Sequence, residues 1–183
     1  MRAQIKTPRL VLRWLEQRDA KAVQAGCSNW NVARMLAKVP HPYPDGMAED
    51  WISGHADERA RGQGSAFAIT LAGAVIGVVG IDRGTRDECE LGYWLDEPYW
   101  GNGYATEAAQ AAVTVGFADL GVGHINSGHF EDNAASGRVL LKCGFAYSGT
   151  SKRPCLARGT DVPSCDLIMH RYQWVDRLKA QQA

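Results

Sequence analysis

The 183 residues, 45% of them hydrophobic, suit a single domain that buries a substantial core. Twenty basic residues balance twenty acidic ones and no basic block stands out, so direct nucleic-acid binding is not expected. No apolar run approaches the ~20 residues of a membrane span or a signal segment, and Cys27, Cys89, Cys143, Cys155 and Cys165 form no Cys-x-x-Cys pair, which speaks for a reducing cytoplasm and against a disulfide framework, a zinc site or a membrane partner.

In chain order, residues 7–14 alternate Arg9, Val11 and Arg13 with Leu10, Leu12 and Trp14, the pattern of a half-buried strand. Helices are expected over 19–27, with Ala20, Val23 and Cys27 inward, over 30–38 with Asn29 as cap, and over 47–61 up to the Gly62-Gln63-Gly64 stop. Pro40, Pro42 and Pro44 keep the intervening segment irregular and stiff. Residues 65–71 and 74–82 read as a hairpin turning at Ala72-Gly73, and a polar turn over 83–88 leads to a third strand, 90–95. A helix with an apolar stripe from Ala105 to Leu120 precedes a strand over 124–130, expected to be parallel to the third because a helix separates them. Asn133 and Gly144 bound the next helix, two strands follow over 145–154 and 165–172, and 174–182 closes the chain.

The third strand ends at Asp96-Glu97-Pro98 and runs into Gly101-Asn102-Gly103-Tyr104-Ala105-Thr106 at the start of the long helix. Glycines let backbone approach a ligand closely, and the unpaired N–H groups of a helix's first turn attract anions, so this loop is a candidate phosphate site. No lysine lies between Gly101 and Lys142, which rules out a P-loop; residues 96–100 and Thr106 break the dinucleotide fingerprint. The remaining pattern, Gly-x-Gly-x-Ala after Glu90-Leu91-Gly92-Tyr93-Trp94-Leu95, closely resembles the GNAT acetyltransferase superfamily, in its RimJ/RimL-like branch. The family signature falls on Trp100, Gly103 and Ala105, with Trp100 replacing the usual Gln/Arg, and the Thr7-Pro8-Arg9-Leu10 opening is familiar in the same branch.

The resemblance covers about residues 7–175 of one domain spanning 1–183. It implies a mixed α/β fold: a twisted sheet of about seven strands, splayed at its centre, with flanking helices. It also implies an acetyl-CoA-dependent N-acetyltransferase, without metal, acting as a monomer or homodimer on a primary amine, whether a protein N-terminus or a small molecule. The alternative is a non-catalytic acyl-CoA-binding module. Trp100, Gly101, Asn102, Gly103, Tyr104, Ala105 and Thr106 would hold the phosphates. Trp94 and Leu95 would pair with the pantetheine arm, and a backbone N–H near Tyr93 would polarise the thioester carbonyl. Glu90 matches the family's base, where a partly dry cleft would raise its basicity; structural pairing with an arginine is the competing reading. His41 and His170 are further base candidates. The family's acidic tyrosine falls on Leu140, leaving Ser136 as donor to the sulfur. Asn133 caps its helix or touches the cofactor, and Cys143 reads as a buried thiol. Trp30, Arg34, His41, Tyr43, Arg153 and Arg158 are the residues expected to wall the acceptor pocket.

Overall fold

The computed structural model describes residues 2–84 and 87–182. The chain opens with a hairpin of β1 (Gln4–Lys6) and β2 (Val11–Trp14). The expected strand from Thr7 is interrupted because the Thr7 N–H donates to the Leu10 carbonyl and the Leu10 N–H to the Thr7 hydroxyl, each at 3.0 Å, closing a turn around Pro8 and Arg9. α1 (Ala20–Ser28) buries Ala20, Val23 and Cys27 as the spacing requires. α2 (Trp30–Ala33) is capped by the Asn29 side chain, which accepts from the Asn31 N–H at 2.8 Å. It stops short of the expected Lys38, since Arg158 Nε donates at 2.7 Å to the Arg34 carbonyl that a longer helix would use. One expected helix becomes two, α3 (Met47–Ser53) and α4 (His55–Ala60), divided at Gly54, a weak helix former.

β3 (Gly64–Leu71) and β4 (Ala74–Arg83) form the expected hairpin. Ala72 and Gly73 both take positive φ, 48° and 87°, the tight turn whose twist matches its strands. β5 (Glu88–Leu95) completes an antiparallel meander; residues 85 and 86 of the connecting turn lie outside the described residues. α5 (Tyr104–Thr114) continues through a wider turn, Val115–Asp119, to β6 (His124–Phe130). α6 (Ala134–Cys143), β7 (Ala146–Cys155), β8 (Thr160–His170) and α7 (Arg171–Gln182) follow.

Among the described residues the strands make one eight-stranded sheet in the order β1-β2-β3-β4-β5-β6-β8-β7; the short β1 takes it beyond the seven expected. On one face, Phe67, Ile69, Val79, Ile81 and Leu91 pack against Ala108, Ala109 and Ala112 of α5. Each fully buried large side chain there contributes about 1.5–3 kcal/mol. The small residues bring helix and sheet close: a Cβ at Gly116 would lie 2.7 Å from Ile125 Cδ1. On the other face, Ala66, Ala68 and Val78 lie under Val23, Cys27, Ala48 and Ile52. Among the described residues no helix is long and apolar enough to cross a membrane.

The break that matters lies between β5 and β6. They run parallel and pair at Glu88–His124, Cys89–Ile125 and Glu90–Asn126, and beyond these positions no further register pair joins them among the described residues. Ser127 Oγ donates to the Leu91 carbonyl at 2.9 Å, holding the fork where the strands part.

Candidate active site

The N–H and C=O of one strand residue leave the backbone on the same side, and that side alternates along the strand. The Leu91 carbonyl meets Ser127, so odd-numbered residues of β5 address the fork. The Asp96 N–H donates to Ile76 of β4 at 2.9 Å, so even-numbered residues address β4. Tyr93 and Leu95 therefore turn backbone groups into the opening. The Trp94 backbone faces the other way: its carbonyl packs against Gly77 of β4. The indole N–H of Trp100 donates to the Leu95 carbonyl at 2.8 Å, so Trp100 closes the strand's end.

Gly101 and Gly103 take φ of 77° and 80°, and Gly103 begins α5 without a side-chain cap. The first-turn N–H groups at Tyr104, Ala105 and Thr106 are thus free of a capping side chain, as an anion site requires. Asn102 Nδ2 donates to the Trp100 carbonyl at 2.9 Å, so this side chain braces the loop. A cation stands beside it that the motif did not reveal. Arg9, in the β1–β2 turn, donates from Nη1 to the Asn102 carbonyl at 2.9 Å and from Nε to Glu107 Oε2 at 2.7 Å. Its guanidinium lies 4.6 Å from the Tyr104 ring centroid. Burial presses the Glu107 carboxyl upward, yet hydrogen bonds from Thr7 and Arg9 hold it below the usual range. Fork and loop together leave backbone groups open at the start of α5 and along Tyr93 and Leu95.

The sheet face toward α1 and α3 carries three cross-strand pairs, Val78–Trp94, Gly80–Gly92 and Asp82–Glu90. A Cβ at Gly92 would meet nothing within 4 Å, so bare backbone floors a trough between an indole and two carboxylates. Glu90 is not in a dry recess: its side chain is 55% exposed, and Arg153 Nη1 donates to Oε1 at 2.6 Å. Arg153 also donates from Nη2 to Asp166 at 2.9 Å, and a Cβ at Gly128 would lie 3.1 Å from that nitrogen. This one arginine of β7 thus reaches across β8 and β6 to β5. Asp82 has no side-chain hydrogen bond or ion pair among the described residues. It keeps solvent access, but crowding in the trough pushes its carboxyl above the usual range, with Glu58 and Glu90 adding and Lys38 opposing.

Behind the fork, the Asn133 side chain caps α6 by accepting from the Ser136 N–H at 3.2 Å. Ser136 Oγ lies 2.8 Å from the Tyr93 hydroxyl, whose oxygen also stands 3.1 Å from the Ser136 carbonyl. Leu140 is fully buried core. Burial pushes the Cys143 thiol up to about 12, consistent with an inert role. His170 pairs with His124, whose other neighbour is Glu88, and so lies at the closed end of the fork.

Of the expected acceptor wall, Trp30 and His41 are exposed and meet edge to face at 5.2 Å. Arg158 and Arg34 converge on Asp132, at 2.9 and 3.6 Å, and tie α2 to the β6–α6 turn. Tyr43 packs half-buried against the second core, and burial pushes its hydroxyl up to about 12.

Residues 9–146 match the family model described as Acetyltransferase (GNAT) domain. An uncharacterised N-acetyltransferase of Bacillus subtilis (strain 168), YoaA, is 31% identical over 85% of this chain and 90% of its own. The [ribosomal protein uS5]-alanine N-acetyltransferase of Escherichia coli (strain K12) is 29% identical over 86% of each chain. A solved structure of RimL, the ribosomal L7/L12 α-N-protein acetyltransferase, in complex with coenzyme A superposes with a TM-score of 0.80 at 20% identity, covering 91% of this chain and 97% of that one.

Proposed function

Because the chain belongs to the GNAT acetyltransferase family, we propose that it transfers the acetyl group of acetyl-CoA to a primary amine by direct attack in a ternary complex. The observation that carries this reading is the fork, which opens on one side to the uncapped start of α5 and on the other to the glycine-floored trough. Two ligands approaching from those sides would meet at Tyr93. There its N–H polarises the thioester carbonyl, a preorganised donor of the oxyanion-hole type. Glu90, oriented by Arg153, takes the proton that the amine sheds as the C–N bond forms, directly or through water. The C–S electron pair stays with sulfur, where Ser136 donates a hydrogen bond, and the sulfur's final proton comes from solvent. Trp30 and His41 remain our candidates at the mouth of the acceptor site.

A protein N-terminus is the acceptor class we favour, in line with the activity for which the Escherichia coli relative is named, and a small-molecule amine is the other. Five free cysteines suit the reducing cytoplasm, where we place the protein. Thiol release from acetyl-CoA, measured against peptides with different first residues, polyamines and aminoglycosides, tests the proposal. Amine-dependent release with intersecting initial-rate lines is expected. Binding of acetyl-CoA with no amine-dependent release across the panel, or ping-pong kinetics, would overturn it.

A further inference from the structure

Under the first turn of α6, two hydroxyls share too few hydrogens to satisfy every partner at once. The phenol of Tyr93 has one hydrogen and two acceptors in reach, the Ser136 carbonyl at 3.1 Å and Ser136 Oγ at 2.8 Å. If that hydrogen goes to the carbonyl, Ser136 must give its own hydrogen back to the phenol oxygen, and both are used within the pair. If it goes to Ser136 Oγ, the serine hydrogen is released to point elsewhere. Only the second arrangement can serve a group arriving in the fork. We propose that Tyr93 is a positioning residue whose side-chain hydroxyl turns the Ser136 hydrogen toward the departing sulfur.

The proposal rests on the acetyl-transfer reading and adds a residue to it. Tyr93 is suited to the task because β5 carries its ring beneath α6 while its backbone N–H faces the fork. Burial pushes its hydroxyl far above the ordinary tyrosine range, with the Ser136 contact opposing, so it remains a neutral donor. A serine oxygen that already accepts a hydrogen bond is also polarised into a better donor toward a thiolate. Leu140, buried and aliphatic, offers no competing hydroxyl. No proton leaves Tyr93 at any step, so the electron and proton balance of the transfer is unchanged.

The test compares wild type with Tyr93→Phe, Ser136→Ala, Ser136→Thr and the double variant Tyr93→Phe/Ser136→Ala. Bound coenzyme A is titrated by the ultraviolet absorbance of its thiolate, and calorimetry with desulfo-coenzyme A confirms that the site is intact. Tyr93→Phe should reduce the thiolate:thiol ratio at a given pH about tenfold, a shift of one pKa unit. Desulfo-coenzyme A affinity should be unchanged. In turnover, kcat should fall about tenfold at constant acetyl-CoA KM, and the double variant should lose no more than Ser136→Ala alone. Ser136→Thr should keep the wild-type ionisation. An unchanged thiol titration in Tyr93→Phe, multiplicative losses in the double variant, or Ser136→Thr behaving as Ser136→Ala would each overturn the proposal. If no amine elicits turnover from wild type, the transfer reading fails, while the thiol titration still decides whether Tyr93 directs Ser136.

Discussion

Gly103 is where charge at the start of α5 can be separated from shape. Its φ of 80° costs an ordinary L-residue about 1–2 kcal/mol, and Asn and Asp tolerate this region best. A Cβ there would stand 3.4 Å from Arg9 Nη2, a contact that flexible group can accommodate. Gly103→Asn and Gly103→Asp should both fold, the second with its carboxylate beside the guanidinium. They differ by one negative charge at the anion site. At an effective dielectric of ~20, two unit charges about 6 Å apart repel by roughly 3 kcal/mol. Partial neutralisation by Arg9 and screening by salt leave about 2 kcal/mol, roughly a 30-fold difference in Kd. Titration calorimetry with coenzyme A should find Asn within a few-fold of wild type, Asp about 30-fold weaker than Asn, and a narrower gap in concentrated salt. Equal affinities for the folded Asn and Asp variants would refute placement of the phosphates at this turn.

If Glu90 is the base, Glu90→Gln should lower kcat roughly 10²–10⁴-fold at unchanged acetyl-CoA affinity and flatten the acidic limb of the pH–rate profile. A small loss of turnover with falling stability would make Glu90–Arg153 a structural tie and direct attention to Asp82. Burial depresses the His55 imidazole, so the unfolded chain protonates first. Its share of stability is complete above its ordinary value of about 6.5 and lost as pH falls from there through the lower folded value. His55→Phe should therefore flatten the fall in denaturation midpoint between pH 7 and 5; an unaltered slope would assign it to other groups. A Cβ at Gly26 would collide with the Trp94 ring and the Asp96 carboxylate. Gly26→Ala should cost about 1–3 kcal/mol and lower Tm by several degrees; an unchanged Tm would mean that α1 can lift from the sheet.

Much of this architecture is local and therefore legible in the sequence. Alternation fixed β3 to β5 because their neighbours in the sheet are also neighbours in the chain. The glycine loop announced itself because positive φ and an uncapped helix start demand glycine there. What escaped reading depends on distant partners. Arg9 reaches Glu107 from 98 positions away, Arg153 reaches Glu90 across 63, and Tyr93 meets Ser136 across 43. The contacts of Arg34 with Asp132 and of Tyr43 with the second core likewise join segments far apart in the chain. β1 is only three residues long, too short to show a period, and α2 ends through a carbonyl that Arg158 occupies from the far end of the sheet.

The central claim is that acetyl-CoA lies in the opening between β5 and β6 with its phosphates on the first turn of α5. Amide hydrogen exchange, with and without acetyl-CoA, tests that placement residue by residue. The account predicts new protection at the Tyr93 and Leu95 amides and at Tyr104, Ala105 and Thr106, with the even-numbered amides of β5 already protected by β4 before the ligand is added. Protection that bypasses the fork and the start of α5 while acetyl-CoA is demonstrably bound would contradict it.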